Sequence, residues 1–217
     1  MEALEMTEET LTPGEISVPK SVWTLIEILI RGTAHLICNN WKTKHGEARE
    51  SRTNPDIFGA RSPEDQFADA LYTVEGRENW SAAKIGKYGM PAYFVRSACI
   101  SAAKKLKDWD LLKAVRGGFF TEDVIAPITE VQPMRRRDIV TVNVRDGRKK
   151  SVPKYRAQFD EGWEMTVPAK IDTDILPTAQ LAVLLSHAGT STGIGEWRPE
   201  RGGRHGRFKV LEINELR

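Results

Sequence analysis

Two periodicities alternate along this chain in an order that leaves few folds open. The stretch VWTLIEILIRGTAHLI (22–37) is crowded with β-branched and aromatic residues, carries no helix cap and reads as a core strand. In GMPAYFVRSACISAAKKLKDWDLLKAV (89–115), small and apolar residues recur at i, i+3 and i+4 behind Pro91, which predicts a helix and then a second short one over Asp110–Val115. After Gly117 and Gly118 the pattern turns to strands. FFTEDVIAPITEV comes first, then the alternation of Ile139 to Val144, an Asp146-Gly147 hairpin signal, and a partner strand from about Tyr155 to Ile171. LPTAQLAVLLSHAG has Pro177 near its start and Gly189 just past its end, which predicts another helix, and RFKVLEIN closes the chain as a strand.

The order is βαββαβ. It predicts an α+β fold, a ferredoxin-like or RRM-like sheet with two helices on one face and the other face left for insertions or a ligand. One domain over residues 21–217 is expected, with insertions at about 39–62 and 144–154. The first of these, CNNWKTKHGEARESRTNPDIFGARS, is polar and has no sustained period, as functional or disordered loops of this length are. PEDQFADALYTV follows it as a short helix, with Pro63 and acids in its first turn and Phe67, Ala70, Leu71 and Val74 at helical spacing. Residues 1–20 read as a mobile acidic lead, since residues 1–15 hold five glutamates and no basic residue.

Several functional classes are disfavoured. No run approaches the roughly 18 apolar residues of a membrane span, so a cytoplasmic protein without a membrane partner is expected. Cys38 and Cys99 lie far apart with no CxxC partner, which gives neither a zinc site nor a disulfide framework. His35, His45, His187 and His205 show no metal-ligand spacing, and no nucleophile elbow or defined acid pair appears. No catalytic residue, metal or cofactor is assigned. The net charge of +2 hides a segregation: Arg135 to Arg156 hold nine Lys or Arg against Asp138 and Asp146.

The stretch GIGEWRPERGGRHGRFKV (193–210) joins the last helix to the last strand and interleaves five glycines with four arginines. Neither Walker-A nor dinucleotide spacing is present. The functional reading is a phosphate cradle in which bare main chain at Gly202 and Gly203 comes close to phosphate oxygens while Arg198, Arg201, Arg204 and Arg207 neutralise charge. The plain alternative is an exposed helix-to-strand connection. Trp197 either stacks on a base or pins the loop onto the core. Arg135, Arg136 and Arg137, with Arg148, Lys149 and Lys150 of the hairpin turn, form a candidate positive rim. Lys42, Lys44, Arg49 and Arg52 of the first insertion are similar candidates; all of these are equally readable as solvated faces.

Two stretches together resemble a known superfamily. MPAYFVRSACISAAKK is similar to the first-helix signature of the CRISPR-associated RAMP proteins, particularly their backbone subunits: a hydrophobic residue, proline and a small residue, then a cation on the helix. GIGEWRPERGGRHGRFKV resembles their glycine-rich loop through Gly203, Gly206 and Arg207, with His205 standing in for the usual aromatic. The same ending is similar to a group of phage and prophage proteins with the pattern GxGxWRPExGGxxGRF. The resemblance implies a non-catalytic subunit that binds single-stranded RNA or DNA along a basic groove, self-associates into an oligomer or filament, and joins CRISPR-type or phage replication and recombination subunits. It implies a phosphate contact from Arg96, a thumb from Trp41 to Arg61 and a second projection near Arg145 to Lys150. Some relatives cleave RNA with an aspartate in the early insertion, but the sequence around Asp56 does not match that cleaving loop. The alternatives are a metal-independent endoribonuclease using His205 or His45, and a phage assembly protein whose basic segments meet acidic tails such as residues 2–15.

Overall fold

A computed structural model describes residues 23–40, 62–74, 86–143 and 149–216. The expected acidic lead, most of the first insertion and the Asp146-Gly147 turn lie outside the described residues. In chain order the strands are β1 (Trp23–Gly32), β2 (Leu36–Cys38), β3 (Tyr72–Thr73), β4 (Tyr88–Pro91), β5 (Phe119–Thr121), β6 (Ile125–Thr129), β7 (Pro133–Asn143), β8 (Lys149–Phe159), β9 (Glu164–Asp172) and β10 (Phe208–Leu216). The helices are α1 (Pro63–Ala70), α2 (Tyr93–Leu106), α3 (Trp109–Gly118) and α4 (Thr178–His187).

The expected α+β class is the one found. β1 lies between β10 and β9, antiparallel to both, and the far edge of β9 is shared by β5 and β6. With α2 and α3 preceding β5, and α4 joining β9 to β10, this is the split β-α-β arrangement of a ferredoxin-like core. Ile26, Ile28 and Ile30 alternate inward along β1 and are fully buried. They share one core with Val95, Cys99 and Ala103 of α2 and with Leu181 and Leu185 of α4. The small residues of α2 keep a helix crowded by its neighbours close to them. Both cysteines are buried.

Two of the expected strands are each divided in two. The single core strand over 22–37 breaks after Gly32, and the strand over 155–171 breaks between Phe159 and Glu164. β1 and β9 belong to the large sheet, whereas β8 pairs with β2 on one side and β7 on the other in a second, three-stranded sheet. The two corners interlock. Gly32 N–H donates to the Trp163 carbonyl (2.7 Å), Gly162 N–H to the Gly32 carbonyl (3.1 Å), and the buried Trp163 indole N–H to the Ala34 carbonyl (2.9 Å). A β-carbon at Gly32 would overlap the Trp163 ring, so only glycine lets the indole fill the corner.

Smaller differences have local causes. α1 ends at Ala70, so Leu71 and Tyr72 leave the helix and are buried; Ser62 caps it by accepting from Asp65 N–H (3.0 Å). Lys149 to Lys154, assigned to an insertion loop, are the first half of β8, paired with Asp138 to Asn143 of β7. Among the described residues no helix is long and apolar enough to cross a membrane.

Candidate functional site

After α4 the helix widens into a π-helical turn, Ala188–Thr192, tied to α2 by Lys105 Nζ donating to the Ser191 carbonyl (2.6 Å). The chain from Gly193 to Arg207 then folds back over the β1–β2 corner. Gly206 N–H donates to the His35 carbonyl (2.7 Å), Glu196 N–H to Ile37 (2.9 Å) and Thr33 N–H to Arg207 (2.9 Å), while Ile194 N–H closes the loop on Gly206 (2.9 Å). The loop therefore has much of its own main chain bonded. Gly202 N–H is taken by the Pro199 carbonyl (3.0 Å), and Gly203 N–H by Arg198 (3.1 Å). The expectation of bare amides at Gly202 and Gly203 is corrected on that ground. At Gly203 and Gly206 the missing side chain instead lets two backbones touch, at the carbonyls of Trp197 and Ile194.

The four loop arginines divide into two kinds. Arg198 is turned inward: it donates to Glu200 Oε2 from Nε (2.9 Å) and Nη2 (2.6 Å), and to the Gly195 carbonyl (3.0 Å). Arg201, Arg204 and Arg207 are exposed, and Arg207 Nε reaches the Arg204 carbonyl at 3.3 Å. Burial pushes the Glu200 carboxyl up, but hydrogen bonds from Ser101 and Arg198 and the charges of Arg198 and Lys105 outweigh it and hold the group below its ordinary range.

Arg96 has partners of its own. It donates to the carbonyls of Phe119 (2.6 Å) and Arg116 (2.9 Å) where α3 ends, and its guanidinium sits 4.5 Å from the Phe120 ring centre. The Arg135-Arg136-Arg137 run is split by strand alternation. Arg136 faces the glycine-rich loop, whereas Arg135, on the opposite face, pairs with Glu64 of α1 and lies near the Tyr155 ring; Arg137 is exposed. Lys149 and Lys150 are exposed at the far end of the β7–β8 hairpin, roughly 23 Å of strand from Arg156 at about 3.3 Å per residue. Lys42, Lys44, Arg49, Arg52 and Arg148 lie outside the described residues.

Between the three-stranded sheet and the loop is a partly buried ionic network, centred on the buried Asp138 and Arg156, that the sequence reading missed. Asp138 accepts from Arg136 Nε and from Arg156 Nη1, each at 2.8 Å, and Arg136 also donates to Gln158 (2.8 Å). Gln158 donates to Asp160 (2.8 Å), which lies 3.1 Å from His35 Nδ1. Both guanidiniums sit near the Trp197 ring, at 5.3 and 4.9 Å from its centre, so Trp197 pins the loop to this sheet. Trp197 does this at a positive φ of 51°. His205, only 7% exposed, has its ring between those of Trp197 and His35, at 6.3 and 6.2 Å. The available signal was the i, i+2 placement of Arg136 and Asp138 on one strand and Arg156 and Gln158 on the next, polar residues aligned on a single face. Among the described residues no three metal-ligating side chains cluster.

Comparison with solved structures places this geometry. The chain aligns over 90% of its length with a chain of the Type III-B Cmr-beta complex bound to cognate target RNA, at 12% identity and a TM-score of 0.51. The two share a fold. This chain covers 61% of that longer chain. Cmr6 from Pyrococcus furiosus aligns over 88% of this chain and 98% of its own, at 11% identity and a TM-score of 0.44. No protein-family model matches the sequence, and no curated protein matches it. The expected α+β fold is thus one shared with a chain of that complex, at an identity too low to carry side-chain roles across.

Proposed function

We propose that this chain is a non-catalytic subunit that grips the phosphate backbone of single-stranded RNA and assembles side by side with copies of itself or related subunits. The reading rests on one observation: Arg201, Arg204 and Arg207 stand exposed on a loop whose glycines and hydrogen bonds to the β1–β2 corner hold it rigid. Guanidiniums on a fixed track meet successive phosphates with little ordering cost, and each neutralised phosphate releases about one counterion. Arg198 and Arg96, spent on internal acceptors, serve to hold the loop and the end of α3. The RNA-bound assembly that contains the similar fold favours RNA over DNA. The buried position of His205 argues against its use as a cleavage base.

Fluorescence anisotropy with single-stranded RNA, single-stranded DNA and duplex across a salt series tests this. Tight single-strand binding that falls steeply with salt, strongest for RNA, is expected. Binding that ignores salt, or a preference for duplex, would remove the reading. Salt-sensitive self-association with no nucleic-acid affinity would favour an assembly protein instead.

A further inference from the structure

Three rings run from the contact between the glycine-rich loop and the second sheet out to the surface. Trp197 lies 6.3 Å from His205, and His205 lies 6.2 Å from His35, ring centre to ring centre, with successive planes tilted by 35° and 33°. Trp197 is packed beside Arg136 and Arg156, and His205 is buried, whereas the His35 side chain is 46% exposed. His35 is the end of the series that meets solvent.

The ring is also held in place. Its Nδ1 lies 3.1 Å from Asp160 Oδ1, which in turn accepts from Gln158. The main chain around it is bonded at every residue: the His35 carbonyl accepts from Gly206 N–H, the Ala34 carbonyl from the Trp163 indole, and Thr33 N–H donates to the Arg207 carbonyl. With one edge on a carboxylate and one side toward His205, the ring presents a flat surface of fixed orientation. A ligand that lies on it costs little side-chain ordering.

Its position indicates the ligand. Thr33, bonded to Arg207, is two residues from His35, at most about 7 Å of extended chain, so the exposed Arg207 and the ring share one corner of the molecule. Arg204, also exposed, directly precedes His205. Cations beside an aromatic face are what proteins use to hold single strands, with the backbone on the cations and a base stacked on the ring. The Asp160 carboxylate disfavours a phosphate at the ring itself and leaves that place to an uncharged group. Resting on the strand-binding reading above, we infer that His35 stacks one base of a strand whose phosphates lie on Arg204 and Arg207. The contact does not choose among bases, since every base has a π-face.

The experiment compares, by fluorescence anisotropy, a single-stranded oligoadenylate with an abasic strand of equal length and charge. The wild-type protein is expected to hold the base-bearing strand about fivefold or more tightly, the size usual for one base on an aromatic ring. His35→Ala is expected to lose about that factor for the base-bearing strand alone, with the salt slope unchanged. His35→Phe, which keeps a ring but drops the Asp160 contact, retains the wild-type ratio, as a merely structural role for the His35–Asp160 pair does not allow. His35→Gln, polar but without a ring, matches the alanine variant and serves if that variant does not fold. Equal wild-type affinities, a ratio unchanged in the ringless variants, or a phenylalanine variant that loses the ratio as alanine does, overturn the inference while leaving backbone binding intact. Failure of both strands to bind at low salt overturns the strand-binding reading, and this inference with it.

Discussion

Gly203 lies so close to the Trp197 carbonyl that a β-carbon there would overlap it, whereas a β-carbon on Gly202 would meet open space. Adjacent glycines are therefore needed for different reasons. Gly202 has φ +77° as the left-handed cap of the short 3₁₀ turn Pro199–Arg201, and alanine there costs only the backbone penalty of about 1–2 kcal/mol. Gly203→Ala must displace the Trp197 backbone and, through it, the ring held beside Arg136 and Arg156. Urea unfolding is expected to show a loss of about 2–4 kcal/mol, beyond the Gly202→Ala value. Equal losses would mean that the loop absorbs the extra atom.

The division among the loop arginines gives a second expectation, read in the salt dependence rather than in affinity alone. Arg201→Ala and Arg204→Ala each weaken RNA binding across sequences and reduce the slope of log K against log salt by about 1. Arg198→Ala instead removes hydrogen bonds to Glu200 and Gly195, so it costs stability by about 1 kcal/mol with a smaller change in slope. A salt slope in Arg198→Ala that falls as far as in Arg201→Ala would show that the Glu200 pair opens for phosphate.

The sequence was most informative where local chemistry determines structure. The period of α2 and α4, the β7 alternation and the position of the glycine-rich loop all follow from nearest-neighbour patterns, and together they were enough for the architecture. What stayed hidden depends on long-range contacts. Nothing in VWTLIEILIRGTAHLI announces a break, because the break is made by Trp163, distant in the chain, whose indole occupies the space at Gly32. Likewise, Arg135 to Arg137 read as one basic run until the hairpin register sends alternate side chains to opposite faces. The glycines of the loop were legible as places of close approach. That the approaching group is the chain's own backbone was not.

Asp138 is 8% exposed and serves both Arg136 and Arg156, the latter 6% exposed with an Nε that has no hydrogen-bond partner among the described residues. Removing the shared acid leaves two cations facing each other with one of them buried. Asp138→Ala is expected to cost about 3–5 kcal/mol, the usual result of breaking one side of a buried pair. The double change Asp138→Leu with Arg156→Met recovers much of that, because no buried charge is left. Thermal and urea unfolding of the two variants check this. A mild single variant would show that water reaches the network.

His205 makes the pH dependence of stability directional. Burial first, then the charges of Arg136 and Arg204 and the neighbouring His35, hold its pKa below the ordinary 6.5, with Asp138 opposing them in part. The folded protein therefore binds this proton less readily than the unfolded chain does, so stability rises with pH between the two pKa values. The contribution is complete above about pH 6.5, where the unfolded histidine is neutral, and is lost as pH falls from there toward the lower folded value. Urea midpoints measured from pH 7.5 to 5.0 are expected to drop on the acid side, before the carboxylates titrate. His205→Gln, which keeps a polar side chain but cannot ionise, should flatten the pH 6.5 to 5.5 portion of the profile relative to the parent protein. An unchanged acid limb in that variant would show that His205 does not set it.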